Sequence, residues 1–386
     1  MLRYLTAGES HGPQLTAIIE GLPANLPLSI DKINHQLWRR QQGFGRGGRM
    51  RIETDQVTIT SGVRFGKTMG TPVTLVVINR DWKNWEQRMA VTGEPPADLE
   101  IVSKPRPGHA DLAGSLKYNQ QDVRNVLERA SARNTATLVA VGAVARQLLE
   151  EFNIHVYSHI VELGPIKAGP VAGTIEEIAV RAEQSQVRVA NPDKEAEIIE
   201  LIKQARKEGN SLGGIFEVVV TGVPVGLGSY SMPDRRLDSR LAGALMGIQA
   251  IKGVEIGLGF DAARKPGSEV HDEIFYTAEQ GYYRETNGAG GIEGGVSNGQ
   301  PIVVRAAMKP IPTLYKPLRS VDMATKQPFA ASIERSDVCA APAAAVVGEA
   351  VTAWVIAASF LEKFGGDSLE ETRVNYNNYL KLVAER

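Results

Sequence analysis

Two stretches of this chain are helical in pattern yet nearly free of charge and bulk. Thr135 to Phe152 opens almost entirely with Ala, Val, Thr and Gly, and Ala340 to Leu361 repeats that composition over a longer run. Residues this small let backbones approach closely, so both stretches predict helices buried against near neighbours. The second approaches the length of a membrane crossing. It contains Pro342 and Glu349 and has no partner span, and it reads as a core helix.

The surroundings of the two helices echo one another. Gln14 to Glu20 reads as a strand, Gly21-Leu22-Pro23 as a turn, and a helix starts near Ser29-Ile30-Asp31 with Ser29 or Asp31 as N-cap and runs through Trp38. Arg51 to Arg64 alternates as a strand pair, Gly70-Thr71-Pro72 breaks it, and Val73 to Ile78 is a third strand. Later, Val218 to Pro224 leads to a helix near Ser239 to Ile251. Gly291 to Gly295, then Gly299-Gln300-Pro301-Ile302, echoes Gly62 to Gly66, then Gly70-Thr71-Pro72-Val73. Glu334-Arg335-Ser336 precedes the second small-residue helix as Glu128-Arg129-Ala130 precedes the first. Three echoes in one order predict a pseudo-twofold α+β body within a single unit of residues 1–386, with repeats of about 1–152 and 213–364 linked by 153–212. Ile154 to Val161 is a further strand. Ile175 to Gly209 is amphipathic helix with ordinary surface periodicity and no visible chemistry. Arg80 to Lys104 has neither period and reads as a long excursion of the kind used as a lid or binding element.

Arg39 to Arg51 packs five arginines and four glycines into thirteen residues of a chain whose net charge is only −1. Such glycines turn the backbone and bring its N–H groups close to a ligand, and arginine forks grip phosphate or carboxylate bidentately, so the loop reads as an anion cradle. The alternatives are a solvated basic loop or an RNA contact. Balanced charge argues against a dedicated nucleic-acid or polybasic membrane protein. Cys339 is the only cysteine and Met1 to His11 lacks a signal-peptide pattern, so a reducing, cytoplasmic setting is expected.

Gly8-Glu9-Ser10-His11-Gly12-Pro13 puts a histidine between glycines, and Lys104 to Asp111 puts His109 beside Arg106 in a rigid loop. Imidazoles there can serve as acid or base. His35, His155, His159 and His271 lack that setting, and no metal site is expected. Glu128 to Thr135 brings Arg129, Ser131 and Arg133 to the start of one buried helix, and Glu334 to Asp337 opens the other; helix starts favour anions. Asp337 is either an N-cap or a working carboxylate. Lys309 to Thr313 is a stiff loop with a cation. Together these point to a ligand carrying several phosphates and carboxylates.

Gly8 to Pro13, Arg39 to Arg49, Arg106 to Asp111, Glu128 to Thr135, Gln249 to Gly257, Gly294 to Pro301, Lys309 to Thr313 and Arg335 to Cys339 together resemble the chorismate synthase family, in order and over nearly the whole chain. The resemblance implies helices sandwiched between antiparallel sheets, a homotetramer, and a 1,4-anti-elimination of phosphate from 5-enolpyruvylshikimate 3-phosphate to give chorismate. It implies a lyase requiring reduced FMN with no net redox change. By the same resemblance, His11 protonates the departing phosphate, His109 stabilises or protonates reduced flavin near N1, and Asp337 assists proton removal through N5. Arg129, Ala130, Ser131, Gln249, Ala250, Gly294, Lys309, Pro310, Ile311, Pro312, Thr313 and Arg335 match flavin-contacting segments. Ser10, Arg40, Arg46, Arg49, Arg106 and Arg133 match substrate positions, with Arg40 and Arg46 also associated with NADP. Asn134 replaces a glutamate found in many relatives. The chain lacks the long insertions of relatives that reduce their own flavin, so NADPH is expected to act only through a separate flavin reductase. The competing readings are a flavin oxidoreductase with net hydride transfer, for which no Gly-x-Gly-x-x-Gly follows a strand and opens a helix, the glycine loop at 43 to 48 following a helix instead, and an RNA-binding protein.

Overall fold

A computed structural model describes residues 1–47, 54–331 and 336–386. In chain order the first part carries β1 (Arg3–Ala7), β2 (Gln14–Glu20), α1 (Ile30–Gln41), β3 (Val57–Ser61), β4 (Val63–Arg64), β5 (Lys67–Thr68), β6 (Val73–Ile78), α2 (Asp111–Tyr118), α3 (Arg124–Ala130) and α4 (Thr135–Glu150). Next come β7 (His155–Leu163), β8 (Ile166–Lys167), α5 (Ile175–Gln184), α6 (Pro192–Lys207), β9 (Gly214–Thr221), α7 (Leu237–Met246) and β10 (Ile251–Ile256). The hairpins β11 (Phe275–Thr277) with β12 (Gly281–Tyr283) and β13 (Ile292–Glu293) with β14 (Val296–Ser297) precede β15 (Ile302–Met308). A last hairpin, β16 (Arg319–Val321) with β17 (Pro328–Ala330), leads to α8 (Ala341–Phe364) and α9 (Leu369–Ala384).

The larger described sheets are antiparallel throughout, one in the order β1-β2-β6-β3 and the other β10-β15-β9-β7-β8. Alternation decides which face each buries. Leu15, Ala17 and Ile19 of β2 pair with Val77, Leu75 and Val73 of β6, and all six are buried. Phe216, Val218 and Val220 of β9 do the same opposite Ala306, Val304 and Ile302 of β15. Between the two apolar faces lie α4, against β2 and β6, and α8, against β7 and β9. The two helices cross in direct contact. A side chain at Gly142 of α4 would collide with Ala350 of α8, and one at Gly348 would collide with the Phe216 ring. Their small residues therefore set the thickness of the middle layer. The expected α+β sandwich is what the structure shows.

Strand bounds read from sequence coincide with β2 and β6, and Ser29 is the cap of α1, accepting from the Lys32 N–H at 3.4 Å. The pair expected over Arg51 to Arg64 resolves into β3 and half of a hairpin, with Arg51, Ile52 and Glu53 outside the described residues. The region Ile175 to Gly209 forms the expected amphipathic helices, α5 and α6. Between them the buried Arg188 reaches the centre of the protein, while Glu183 meets it from an exposed position on α5. There Arg39 forks onto Glu349 (2.6 and 2.9 Å), Arg146 adds a bond at 3.0 Å, Arg188 one at 3.3 Å, and the Ser158 hydroxyl one at 2.6 Å. Glu183 pairs with Arg39 and, at 2.7 Å, with Arg188. Amphipathic period cannot reveal a charge drawn inward by an acid far away in sequence.

Burial alone would push the Glu349 carboxyl up, but Arg39, Arg146 and Arg188 outweigh it and hold it down to about 2. A depressed carboxylate stabilises the fold fully above its ordinary value of 4.5, and that contribution fades as pH falls toward 2. Glu349→Gln should therefore cost ~3 kcal/mol or more at neutral pH, since it leaves buried guanidinium groups without their anion. Thermal melts from pH 7 to 2.5 check this: the gap between wild type and variant should narrow at the acid end, and a constant gap refutes the ionic account.

Candidate active site

Strand ends, helix ends and the loops between them meet in one cavity of about 540 Å³. The turn after β1 supplies Ser10 and His11. Gly8 takes φ +114°, and a side chain there would collide with the Gln14 carbonyl. Asn79, just after β6, donates to the carbonyls of Gly12 (2.7 Å) and Glu9 (3.1 Å), and the Ser10 N–H donates to Glu128 O at 3.1 Å. Ser10 and Ser131 hydroxyls lie 3.1 Å apart. The histidine turn is thus tied to β6 and to α3.

Among the described residues, Arg40, Arg46, Arg106, Arg133 and Lys309 line the cavity, with Asp337 as a lining carboxylate. Arg40 and Arg133 share the buried Asp55, at 3.2 and 2.6 Å. Arg40 also donates to the Thr135 hydroxyl at 2.8 Å, and Arg133 to Asn79 Oδ1 at 2.9 Å. Burial, then Arg133 and Arg46 working against the pull of Asp55, push the Arg40 guanidinium down to about 10. It stays a cation at neutral pH. The field it sits in is positive, which a phosphate or carboxylate relieves. Arg46 pairs with Asp337 at 3.1 Å, and the Gly47 N–H donates to the same carboxylate at 2.5 Å. Asp337 does not cap α8, whose N-cap is Ala340 without a side-chain bond. Its carboxylate holds the arginine loop against the cavity wall.

Both histidines have a carboxylate behind them. His11 Nδ1 is 2.8 Å from Glu128 Oε1, and Asp111 contacts His109 Nδ1 while accepting from Arg106 Nε at 2.8 Å. Burial raises both carboxyls, yet the bonds from His11 and Arg124 bring Glu128 below its ordinary range, and those from His109 and Arg106 do so for Asp111. Each imidazole thus has one nitrogen engaged and its other edge near the cavity. The remaining wall is apolar, with Ile248, Met308, Ile311, Ala344 and Val347. Gln249 Oε1 is buried on it without a hydrogen-bond partner, and Ala250 holds φ +68° there, a conformation that costs a non-glycine residue. An apolar wall with an unmet acceptor suits a flat heteroaromatic ring bearing N–H groups. A second hollow, around Asp367, Glu370 and Glu371, is open and acidic, the wrong sign for phosphate.

Most residues singled out from sequence converge here: Ser10, His11, Arg40, Arg46, Arg106 and His109 from the first part, then Ala130, Ser131, Arg133, Gln249 and Ala250, and finally Lys309, Ile311, Pro312, Thr313 and Asp337. Three do not line the cavity. Arg129 turns outward to Thr6 O (2.9 Å) and Gly8 O (3.3 Å), Gly294 sits in the β13–β14 hairpin, and Pro310 is exposed away from the lining. Arg49 and Arg335 lie outside the described residues. Asn134 accepts from Arg129 at 2.6 Å, a neutral acceptor at an exposed bond. Sequence reading missed Asp55, Asn79, Trp85 and Glu128, which stand behind the wall. Of these only Glu128 carried a signal, as an acid inside a motif already flagged for its basic residues; Asp111, behind His109, carried the same one.

Fold and site together define an α+β enzyme that takes a polyanionic substrate next to an apolar, ring-sized surface. The chorismate synthase family model matches residues 2–361. A chorismate synthase of Desulforamulus reducens is 58% identical over 386 residues, covering 100% of both chains, and one of Geobacter metallireducens is 59% identical over 390 residues, covering 99% of each. A crystal structure of chorismate synthase superposes with a TM-score of 0.82 at 46% identity, covering 100% of this chain and 99% of the other. The chain belongs to the chorismate synthase family. It is accordingly a carbon–oxygen lyase of the shikimate pathway, converting 5-enolpyruvylshikimate 3-phosphate to chorismate.

The shared acid gives a direct check on the cationic wall. Asp55→Asn should destabilise the protein by ~3 kcal/mol, because two buried guanidinium groups lose their anion. Millimolar phosphate should restore part of the lost melting temperature by binding the folded state. A variant as stable as wild type, or unmoved by phosphate, would show that the pair is not an anion site.

Proposed function

We propose that this cavity binds 5-enolpyruvylshikimate 3-phosphate beside reduced FMN. The observation that carries the reading is the positive wall built around Arg40 and Arg133, facing an apolar wall that ends in the unmet Gln249 acceptor. Arg40, Arg46, Arg106 and Arg133, joined by Ser10 and by Arg49 on family grounds, hold the substrate's phosphate and two carboxylates and fix its orientation. His11 gives a proton to the departing phosphate, and Asp337 takes up the proton that leaves the ring. His109, backed by Asp111, holds a proton on the cofactor side. Ser131, Gln249, Ala250, Lys309 and Thr313 would hold the flavin, with Ala130, Ile311 and Pro312 packing on it; Arg129, Gly294, Pro310 and Arg335 join them by family pattern only. When bound, reduced FMN supplies electron density that eases cleavage of the C–O bond and recovers it, so no net redox change results.

Arg40 and Arg46 already serve the substrate wall, so NADP is not needed there, and NADPH acts only indirectly through a separate flavin reductase. The protein works in the cytoplasm as a homotetramer; exposed Tyr230, Phe260, Tyr276 and Tyr282 offer apolar surface that further copies would cover. No nucleic acid or membrane takes part.

The two halves arose by internal duplication about a pseudo-twofold axis. In support, β1-β2-β6-β3 and β7-β9-β15-β10 are the same strand order when elements are matched along the chain. Details repeat as well. Thr68 donates its hydroxyl to Pro23 O at 2.6 Å and accepts from the Leu26 N–H at 2.9 Å, while Ser297 does so with Pro224 O at 2.6 Å and Leu227 at 2.8 Å. On this matching β7 opens the second repeat and 164–213 is an insertion.

The test is anaerobic phosphate release from 5-enolpyruvylshikimate 3-phosphate with photoreduced FMN, oxidised FMN or no flavin. Release with chorismate formation should occur only with reduced FMN, in catalytic amount. His11→Ala should lower turnover by about 10²-fold while flavin still binds. Release without flavin removes the cofactor assignment, and unchanged turnover removes His11.

A further inference from the structure

We propose that Glu128 is the positioning residue of His11: its carboxylate grips the backbone N–H and ring Nδ1 of that one histidine while Trp85 stacks on the ring, so that Nε2 is presented to the cavity. The inference deepens, and rests on, the reading of His11 as the proton donor.

The grip is bidentate along a single residue. His11 donates its backbone N–H to Glu128 Oε2 at 2.7 Å, and its Nδ1 meets Oε1 at 2.8 Å. An ionised carboxylate only accepts, which places a hydrogen on Nδ1; the ring gives its proton from Nε2 as the imidazolium, which carries a hydrogen on both nitrogens and returns to the Nδ1–H form. Arg124, one turn earlier on α3, donates to Oε1 at 3.0 Å and holds the carboxylate in place. The Glu128 side chain is 2% exposed, so it is screened little by solvent. On the other side, the Trp85 ring lies 4.1 Å from the imidazole at 32°, and the Arg124 guanidinium lies 4.9 Å from the same indole. Asp81 accepts the indole N–H at 3.0 Å and the Asn84 amide at 2.7 Å, which stiffens the turn that carries Trp85.

His11 lines the cavity, but Glu128 and Trp85 do not. Their side chains therefore reach the reaction through the imidazole. A free imidazole would interchange its two tautomers and rotate about its side-chain bonds, and only one arrangement sets Nε2 toward a leaving phosphate. The Arg80 to Lys104 excursion thereby gains a function: it delivers the stacking face.

Two measurements test this on the full-length protein. Solid-state nitrogen-15 spectra of histidine-labelled enzyme, with His11 assigned among the six histidines by its loss in His11→Ala, should show Nδ1 protonated in wild type, in the neutral ring and the imidazolium alike, and a mixture of Nδ1–H and Nε2–H neutral rings in Glu128→Gln. Steady-state assays with reduced FMN should show kcat reduced roughly 10- to 100-fold in Glu128→Gln with KM for substrate within about threefold, and little further loss when Glu128→Gln is added to His11→Ala. Trp85→Phe, which keeps a stacking ring and leaves Glu128 in place, should lose less. A wild-type ring without a hydrogen on Nδ1, unchanged kcat in Glu128→Gln, or full additivity with His11→Ala overturns the proposal. If His11→Ala leaves turnover intact while the tautomer still depends on Glu128, the donor role of His11 falls and the grip stands.

Discussion

One carboxylate near the middle of a helix that is otherwise almost neutral organises this protein. Glu349 draws Arg39 from α1, Arg146 from α4, Arg188 from beyond α5 and Ser158 from β7 to a single point. An ion buried so deeply is costly, and it persists only because every oxygen is occupied by a donor. The arrangement fixes register as well as proximity. A shift of α8 by one residue would turn Glu349 away from all of them, so the four elements cannot slide independently.

That registration matters because Arg40 follows Arg39. Successive residues on a helix point about 100° apart, so the last turn of α1 sends one guanidinium into the scaffold and the next into the cavity. The site's cations are therefore held in position by folding energy rather than by the ligand, which is what preorganised electrostatics requires. The small residues of α4 and α8 contribute in the same direction. With Gly142 set against Ala350, the two helices lie close enough for their N-terminal ends to face one cavity.

Composition and period carried the reading of the scaffold a long way. Helices built of Ala, Val and Gly can only be interior, and the strands at Gln14–Glu20 and Val73–Ile78 alternate cleanly because one face is buried and one is not. The cavity wall was legible too, since arginines and histidines among glycines have few other uses. What lay hidden were the partners behind the wall. Asp55 is fifteen residues from Arg40 and seventy-eight from Arg133, and an aspartate before a strand looks like any solvated acid until tertiary structure brings both cations to it. Arg188 was hidden in the same way. Local pattern reports which face of an element is apolar, and the pairing of charges across the core is not a local property. Arg129 shows the opposite error, a motif residue whose side chain turns to the neighbouring strand.

Cys339, the chain's lone thiol, is sealed beneath the arginine loop. Val338 donates its N–H to Gly45 O at 2.8 Å, and a side chain at Gly45, where φ is +92°, would press on Cys339 and Ile202. Burial pushes the thiol up to about 11, so closed protein has almost no thiolate to offer. Reagent can reach the sulfur only when the packing over it opens. The speed of thiol labelling is therefore a clock for that opening, built into the chain, and a ligand that bridges the loop to the opposite wall would slow it.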